Sequence, residues 1–304
     1  MRQLLTWVVE PGFFSSQPVH VALIIGAAAA AVSAVVGIFT VVRGQSFAGH
    51  ALTDVSTAGG SGALLLGIAP LLGFVGFGIF GAGVMDLIGI RRVRGRDLAT
   101  GIVLGAAIGL AALILYLDTT VGATTGATQQ ILFGSIFIVG AGTVPLVIAF
   151  GLVSVAIIAL VYRPLLLSSV SEDVAAARGI PLRLIGLLFM AALAVAVGLS
   201  ALTIGAILST ALLIGPAATA LRLTRRIGWA IAMACAIGVG ATWLGVLLAY
   251  DSYDWSSTGQ GYPVSFFIVA LIFVLYLVSG LPGVRAASRG RRRAATATAL
   301  AVQP

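Results

Sequence analysis

Two side chains in this sequence combine the types and spacing needed for chemistry in an apolar setting: His50 and Asp54, in the stretch 46–67. They are four residues apart, so a helix places them on one face, one turn apart. Imidazole nitrogen and carboxylate oxygen are suitable ligands for divalent manganese, iron or zinc. Two ligands do not complete a coordination sphere, so the rest must come from elsewhere or from water. From the residues alone two readings stand: a metal-ligating pair, or a buried His–Asp hydrogen-bonded pair that fixes a helix interface. The other histidine, His20, lies at the mouth of the first apolar run and reads as an interfacial polar residue. Asp86 and Asp118 lie at the ends of apolar runs, where topology or capping accounts for them, and Asp97 reads as a helix N-cap. There is no Ser/His/Asp arrangement, no H-E-x-x-H and no G-x-x-x-x-G-K-[ST] phosphate loop. The chain therefore reads as a non-enzyme that cannot itself hydrolyse ATP, with no cofactor expected.

The elements that must position these groups are apolar. Of 304 residues, 60% are hydrophobic and only 9% charged, against roughly 25% charged in a soluble domain. Mean hydropathy is +1.15. So few charges cannot cover a water-soluble globule of this size, and lipid is the natural solvent for most of the surface. The 17 basic residues are all arginine, and the net charge is +8. They sit between apolar runs, where they set topology, so nucleic acid is not the partner this charge implies. The lone cysteine, Cys235, lies inside an apolar run and reads as a packing residue. A cleaved signal peptide is not expected.

A helix needs about 20 apolar residues to cross the hydrocarbon. Runs that qualify cover 21–42, 68–90, 99–117, 144–161, 182–199, 203–221, 229–250 and 263–281. The stretch 46–67 is more polar; counting it gives nine crossings, and merging it into a broken second helix gives eight. The expectation is an all-α, polytopic membrane bundle of eight or nine helices, with nine preferred. Arginines cluster at 91–96, 163–183, 222–226 and 285–293, whereas 118–143 and 251–262 hold none. The positive-inside rule makes the arginine loops and the C-terminus cytoplasmic in a multi-pass membrane protein. Residues 1–284 form the transmembrane domain, and 285–304, mostly Arg, Ala and Thr, form a disordered basic cytoplasmic tail.

Local signals refine the bundle. Gly101, Gly105 and Gly109 share one helical face, and Gly73, Gly76, Gly78, Gly81 and Gly83 crowd another run; small residues let backbones approach closely in lipid. Gly215-Pro216 points to a broken or re-entrant helix within 203–221, since proline removes a helix hydrogen bond. In the longest cytoplasmic loop, Ser171 can cap a short helix with Glu172 and Asp173 in its first turn. Ala176 lies inside that helix, Arg178 lies near its end, Gly179 can terminate it and Pro181 stops continuation. Such a helix is either an ordinary interfacial loop or a docking element for a cytosolic partner.

Several stretches carry a family resemblance. RGQSFAGHALTDVSTAGG at 43–60 is similar to the pattern R-x-x-S-F-x-G-D-A-L-S-H-A-x-L-P-G of the ABC-3 family of metal permeases. DLATGIVLGAAIG at 97–109 and ILFGSI at 131–136 resemble two further family stretches. The most extensive match, 175–226, contains AARGIPLRLIGLLF and LTIGAILSTALLIGPAATALRLTRR. The similarity covers about 21–281. The family orders its pair Asp-x-x-x-His, whereas this chain reads His50-x-x-x-Asp54, and it lacks the proline that follows.

The resemblance implies a type II ABC importer-like fold and a permease subunit that moves a divalent transition metal, manganese or zinc and possibly iron, as substrate. It implies a homodimer with a central pathway, two cytosolic ABC ATPase subunits that dock on the 171–179 helix, and an extracellular metal-binding protein. It also implies His50 and Asp54 as candidate metal ligands. The alternatives are a siderophore- or cobalamin-type ABC permease and a secondary ion-coupled transporter, though no internal repeat marks the latter.

Overall fold

The structure, a computed structural model, describes residue 13 and residues 16–88, 93–121, 126–134, 136–255 and 261–281. The expected tail at 285–304 and the arginines at 91 and 92 lie outside the described residues. Eleven α-helices follow one another among the described residues: α1 (Gln17–Val42), α2 (Ser46–Leu65), α3 (Pro70–Ile88), α4 (Val93–Thr120), α5 (Ala127–Phe133), α6 (Val144–Val170), α7 (Glu172–Ala177), α8 (Leu182–Ile204), α9 (Ala206–Leu223), α10 (Ile227–Trp255) and α11 (Val264–Ser279). Seven of them are long and apolar enough to cross a membrane, by length and composition. α11 is a shorter apolar helix. α2, with 20 residues, has the length but carries too many polar groups to count on apolarity. It is nevertheless a separate element, bounded by Gly44 and Gly67, both at positive φ. The seven spans, α11 and α2 together make nine helices of 16 or more residues among the described residues, roughly consistent with the eight or nine expected.

Burial follows from position in the bundle. α1 and α8 are the most enclosed spans, two-thirds buried, whereas α4 and α6 turn most of their surface outward. That outward surface is apolar, as lipid requires. Where helices meet inside the bundle, hydroxyls link them: Ser33 Oγ lies 2.6 Å from Ser200 Oγ, joining α1 to α8. Ser154 Oγ donates to the Ala192 carbonyl at 3.0 Å, joining α6 to α8.

Glycine decides two close approaches. On α2 and α3, a Cβ at Gly73 would strike the Gly59 carbonyl oxygen, and one at Gly59 would strike that of Gly73. Backbones can approach this closely only without side chains. The expected face Gly101–Gly105–Gly109 behaves differently: a Cβ at any of the three meets nothing within 4 Å. These glycines do not tighten the bundle within this chain, because α4 turns that face away from its neighbours. α4 also begins at Val93, so Asp97 lies inside the helix rather than at its cap.

The expected break at Gly215-Pro216 is corrected. α9 runs unbroken through both residues, with Pro216 inside the helix. Proline removes one backbone bond, a loss that spanning helices tolerate where neighbouring helices support them. The bend comes instead at Gly205, with φ +84 and ψ 161, a region open essentially to glycine alone. There α8 and α9 form a hairpin that lies inside the bundle: Ile204 packs with Ala30, in the middle of α1, and with Leu212. The short α5 closes over it. Gly134, at φ +78, meets Gly205 backbone to backbone, and a Cβ on Gly205 would strike the Leu132 carbonyl oxygen. Gly205→Ala is expected to lower stability by roughly 2–6 kcal/mol, about 1–3 from backbone strain and about 1–3 from overpacking. A thermal-unfolding midpoint of the detergent-purified protein equal to wild type would contradict this account.

Candidate functional site

His50 and Asp54 lie in the first half of α2. The helix does what the spacing demands: His50 Nε2 and Asp54 Oδ2 face each other at 3.9 Å. That separation is too long for a hydrogen bond. It is about the span of two metal–ligand bonds of roughly 2.0–2.2 Å meeting at a wide angle. The His50 side chain is 45% exposed and Asp54 18%, on a helix whose residues are otherwise mostly buried. Phe47 lies one turn earlier on the same face and is also exposed. Asp54 Oδ2 is itself buried and has no hydrogen-bond partner. A buried carboxylate oxygen without a partner is costly and calls for a proton donor or a cation.

α9 supports this turn of α2. His50 Nδ1 lies 3.1 Å from Thr210 Oγ1, and Ser209 Oγ donates to Thr53 Oγ1 at 3.3 Å. Thr53 in turn donates to the Gly49 carbonyl at 3.0 Å, and Thr57 and Ser61 repeat the pattern at successive turns. A row of hydroxyls thus runs up α2 beyond Asp54. Sequence reasoning passed over Ser209 and Thr210. The signal was two adjacent polar residues in the first turns of a mostly apolar helix, and only the fold shows that they face α2. Gly215 and Pro216 stand on the same helix but away from the pair, against Ile272 of α11 and within the buried core. Among the described residues no cluster of three or more His, Cys, Asp or Glu is poised to hold a metal.

The two ends of the bundle differ chemically. At the end where α1 begins and α10 finishes, a cavity of about 710 Å³ is lined by Gln129, Phe133, Thr203, Tyr250, Tyr253 and Tyr262, among others, and no acidic or basic side chain lines it among the described residues. Its floor includes Gly134 of the glycine junction. At the opposite end a cavity of about 320 Å³ is charged, lined by Arg43, Asp86, Glu172 and Arg183. There Arg183 Nε donates to Asp86 Oδ2 at 3.2 Å, tying α8 to α3, and Arg43 Nη1 donates to Ser168 Oγ at 2.8 Å. Asp86 is therefore held by an ion pair. Asp118, at the end of α4, is wholly buried.

The short helix read from 171–179 forms as α7. Ser171 Oγ accepts from the Val174 backbone N–H at 3.3 Å, with Glu172 and Asp173 in the first turn. Gly179, at φ +74, ends it, and the N–H groups of Arg178, Gly179 and Ile180 return to carbonyls of Val174, Ala176 and Ala175. Only Ala175 is buried; Glu172, Asp173, Ala176 and Arg178 are exposed.

Seven helices long and apolar enough to cross a membrane, with a capped helix at the charged end, make this a multi-pass membrane bundle. The chain belongs to the ABC 3 transport family, whose model matches residues 16–280. It is 30% identical over 239 residues to the manganese transport system membrane protein MntC of Halalkalibacterium halodurans, covering 79% of this chain and 80% of that one. It is 32% identical to the chelated iron transport system membrane protein YfeC of Yersinia pestis, over 76% of each chain. Among solved structures, PsaBC from Streptococcus pneumoniae in complex with Fab superposes with a TM-score of 0.77 at 25% identity, covering 89% of this chain and 94% of that one.

Proposed function

We propose that this chain is the membrane-spanning subunit of an ATP-driven importer for a divalent transition metal, with His50 and Asp54 as ligands in the pathway. The observation that carries this reading is the 3.9 Å gap between His50 Nε2 and Asp54 Oδ2, part-exposed on an otherwise buried helix. The relatives named for manganese and chelated iron transport support the same substrate class. A homodimer is part of the proposal: two copies facing one pathway would offer up to four such side chains, enough for a transient four-coordinate site. Transport also demands release, so an incomplete site within each copy suits the task.

Orientation follows from charge. The arginine-bearing end, with Arg43, Arg183 and the C-terminus beyond α11, faces the cytoplasm. Ser171, Glu172, Asp173, Ala176, Arg178 and Gly179 then form the surface that a cytosolic ABC ATPase subunit engages. The cavity at the other end, with no charged side chain lining it among the described residues, faces outward, where an extracellular metal-binding protein delivers its cargo. The test is radioactive manganese uptake into cells producing the chain with its ATPase and binding protein. Uptake that requires an active ATPase and is competed by zinc or iron(II) supports the reading. Uptake that continues with an ATP-hydrolysis-deficient ATPase and collapses with the ion gradient would instead establish a secondary transporter.

A further inference from the structure

We propose that Thr210 is a positioning residue of the cation site: its hydroxyl holds the Nδ1 side of His50 so that Nε2 is presented toward Asp54. The inference rests on the reading of His50 and Asp54 as cation ligands and adds the group that makes the histidine competent. The contact crosses from α2 to α9, with Nδ1 and Oγ1 3.1 Å apart. A neutral imidazole carries one proton, and the nitrogen that ligates a metal must be the bare one. With Nε2 facing Asp54, the proton of the loaded state belongs on Nδ1, where Thr210 Oγ1 accepts it. In the empty site the hydroxyl can turn and donate to Nδ1, while Nε2–H faces the carboxylate. The ring keeps one proton in both states, exchanging it with water, and only a hydroxyl serves both, because it donates and accepts.

The same stretch of α9 holds a second point. Ser209 Oγ donates to Thr53 Oγ1, and Thr53 donates to Gly49 O, so the turn bearing His50 is clamped at two adjacent residues. Both clamps stand within five residues of the Gly205 bend. A shift of α9 about that bend breaks both contacts together and frees the imidazole. Cation affinity is thereby tied to the position of α9, which gives the incomplete site a route to release.

The test uses the complete importer reconstituted in liposomes, with manganese(II) as the probe. Thr210→Val keeps the shape and removes the hydroxyl; Thr210→Ala removes it with less bulk; Thr210→Ser keeps it. Loss of a second partner of a ligating histidine typically costs about 10–100-fold in metal affinity. Thr210→Val and Thr210→Ala are expected to raise KM for manganese(II) by about that factor with little change in kcat, and Thr210→Ser to restore most of it. A packing role would instead lower kcat or the yield of assembled importer and leave KM unchanged. KM unchanged in both hydroxyl-less variants, or Thr210→Ser as impaired as they are, overturns the inference. His50→Ala is run beside them: if it abolishes saturable uptake while Thr210→Val does not raise KM, only the Thr210 role falls. If His50→Ala also transports normally, the cation-site reading falls with it.

Discussion

Initial rates of manganese(II) uptake are expected to fall at least about 100-fold when His50 is replaced by alanine or Asp54 by asparagine. That exceeds the ~10–100-fold typical of losing a partner of a ligand, because under the proposed function a ligand itself is lost. A dication inside a bundle has been stripped of water and must find replacement ligands, or the crossing is prohibitively costly. His50 and Asp54 are the His–carboxylate pair one turn apart on one helix of this chain. The variants separate function from folding. His50 is nearly half exposed, so its removal leaves little void. Asp54 Oδ2 has no hydrogen bond to lose, and asparagine keeps the shape while removing the charge. Expression and the thermal midpoint in detergent should therefore stay near wild type while uptake collapses. If both variants transport at the wild-type rate, the pair fixes a helix interface, and the metal path must be sought near Asp86, Asp118 or the Gly205 hairpin.

Much of this arrangement is legible in the chain because its cause is local. Apolar runs of the right length mark the long helices, and arginines mark one end of the bundle, since both respond to the same bilayer. Ser171, the acidic first turn and Gly179 specify α7 within nine residues, because capping is chemistry between near neighbours. His50 and Asp54 come together for the same reason: one turn of helix joins them. What the chain does not display depends on distant partners. Proline advertises a break through its own covalent structure, so attention falls on Gly215-Pro216, yet α9 carries Pro216 without interruption. The bend belongs to Gly205, one of 39 glycines, and becomes visible only through its backbone contact with Gly134, some seventy residues earlier. The evenly spaced Gly101, Gly105 and Gly109 look like a packing face but meet nothing among the described residues, because spacing fixes which side they share and not what stands opposite. Thr210 escapes notice for the same reason: its value lies in α9 crossing α2, 160 residues away in sequence.

A proline in α7 is expected to uncouple the machine while leaving the bundle intact. α7 has six residues, too few to be stable except through its cap, its terminator and the burial of Ala175. Ala176→Pro removes a backbone donor and sets the ring against the carbonyl one turn earlier, a cost of about 3 kcal/mol or more in a helix interior. It also disfavours helical geometry at Ala175. A helix this short cannot absorb that cost and should unwind locally. The damage stays local because Ala176 is exposed and the flanking spans α6 and α8 hold each other independently, through Ser154 and Ala192 among other contacts. If an ATPase subunit engages the exposed side chains of Glu172, Asp173, Ala176 and Arg178, it then loses a rigid surface to push on. Hydrolysis of ATP by the assembled importer should no longer respond to the metal-loaded binding protein, and uptake should drop to background. The purified permease should keep its helical circular dichroism and thermal midpoint. Ala176→Gly, which costs about 1 kcal/mol rather than 3, should give an intermediate loss of coupling and so grade the effect by helix stability. Wild-type stimulation of ATP hydrolysis in Ala176→Pro would show that force enters the bundle elsewhere, with the charged cavity between α3, α6 and α8 as the next surface to test.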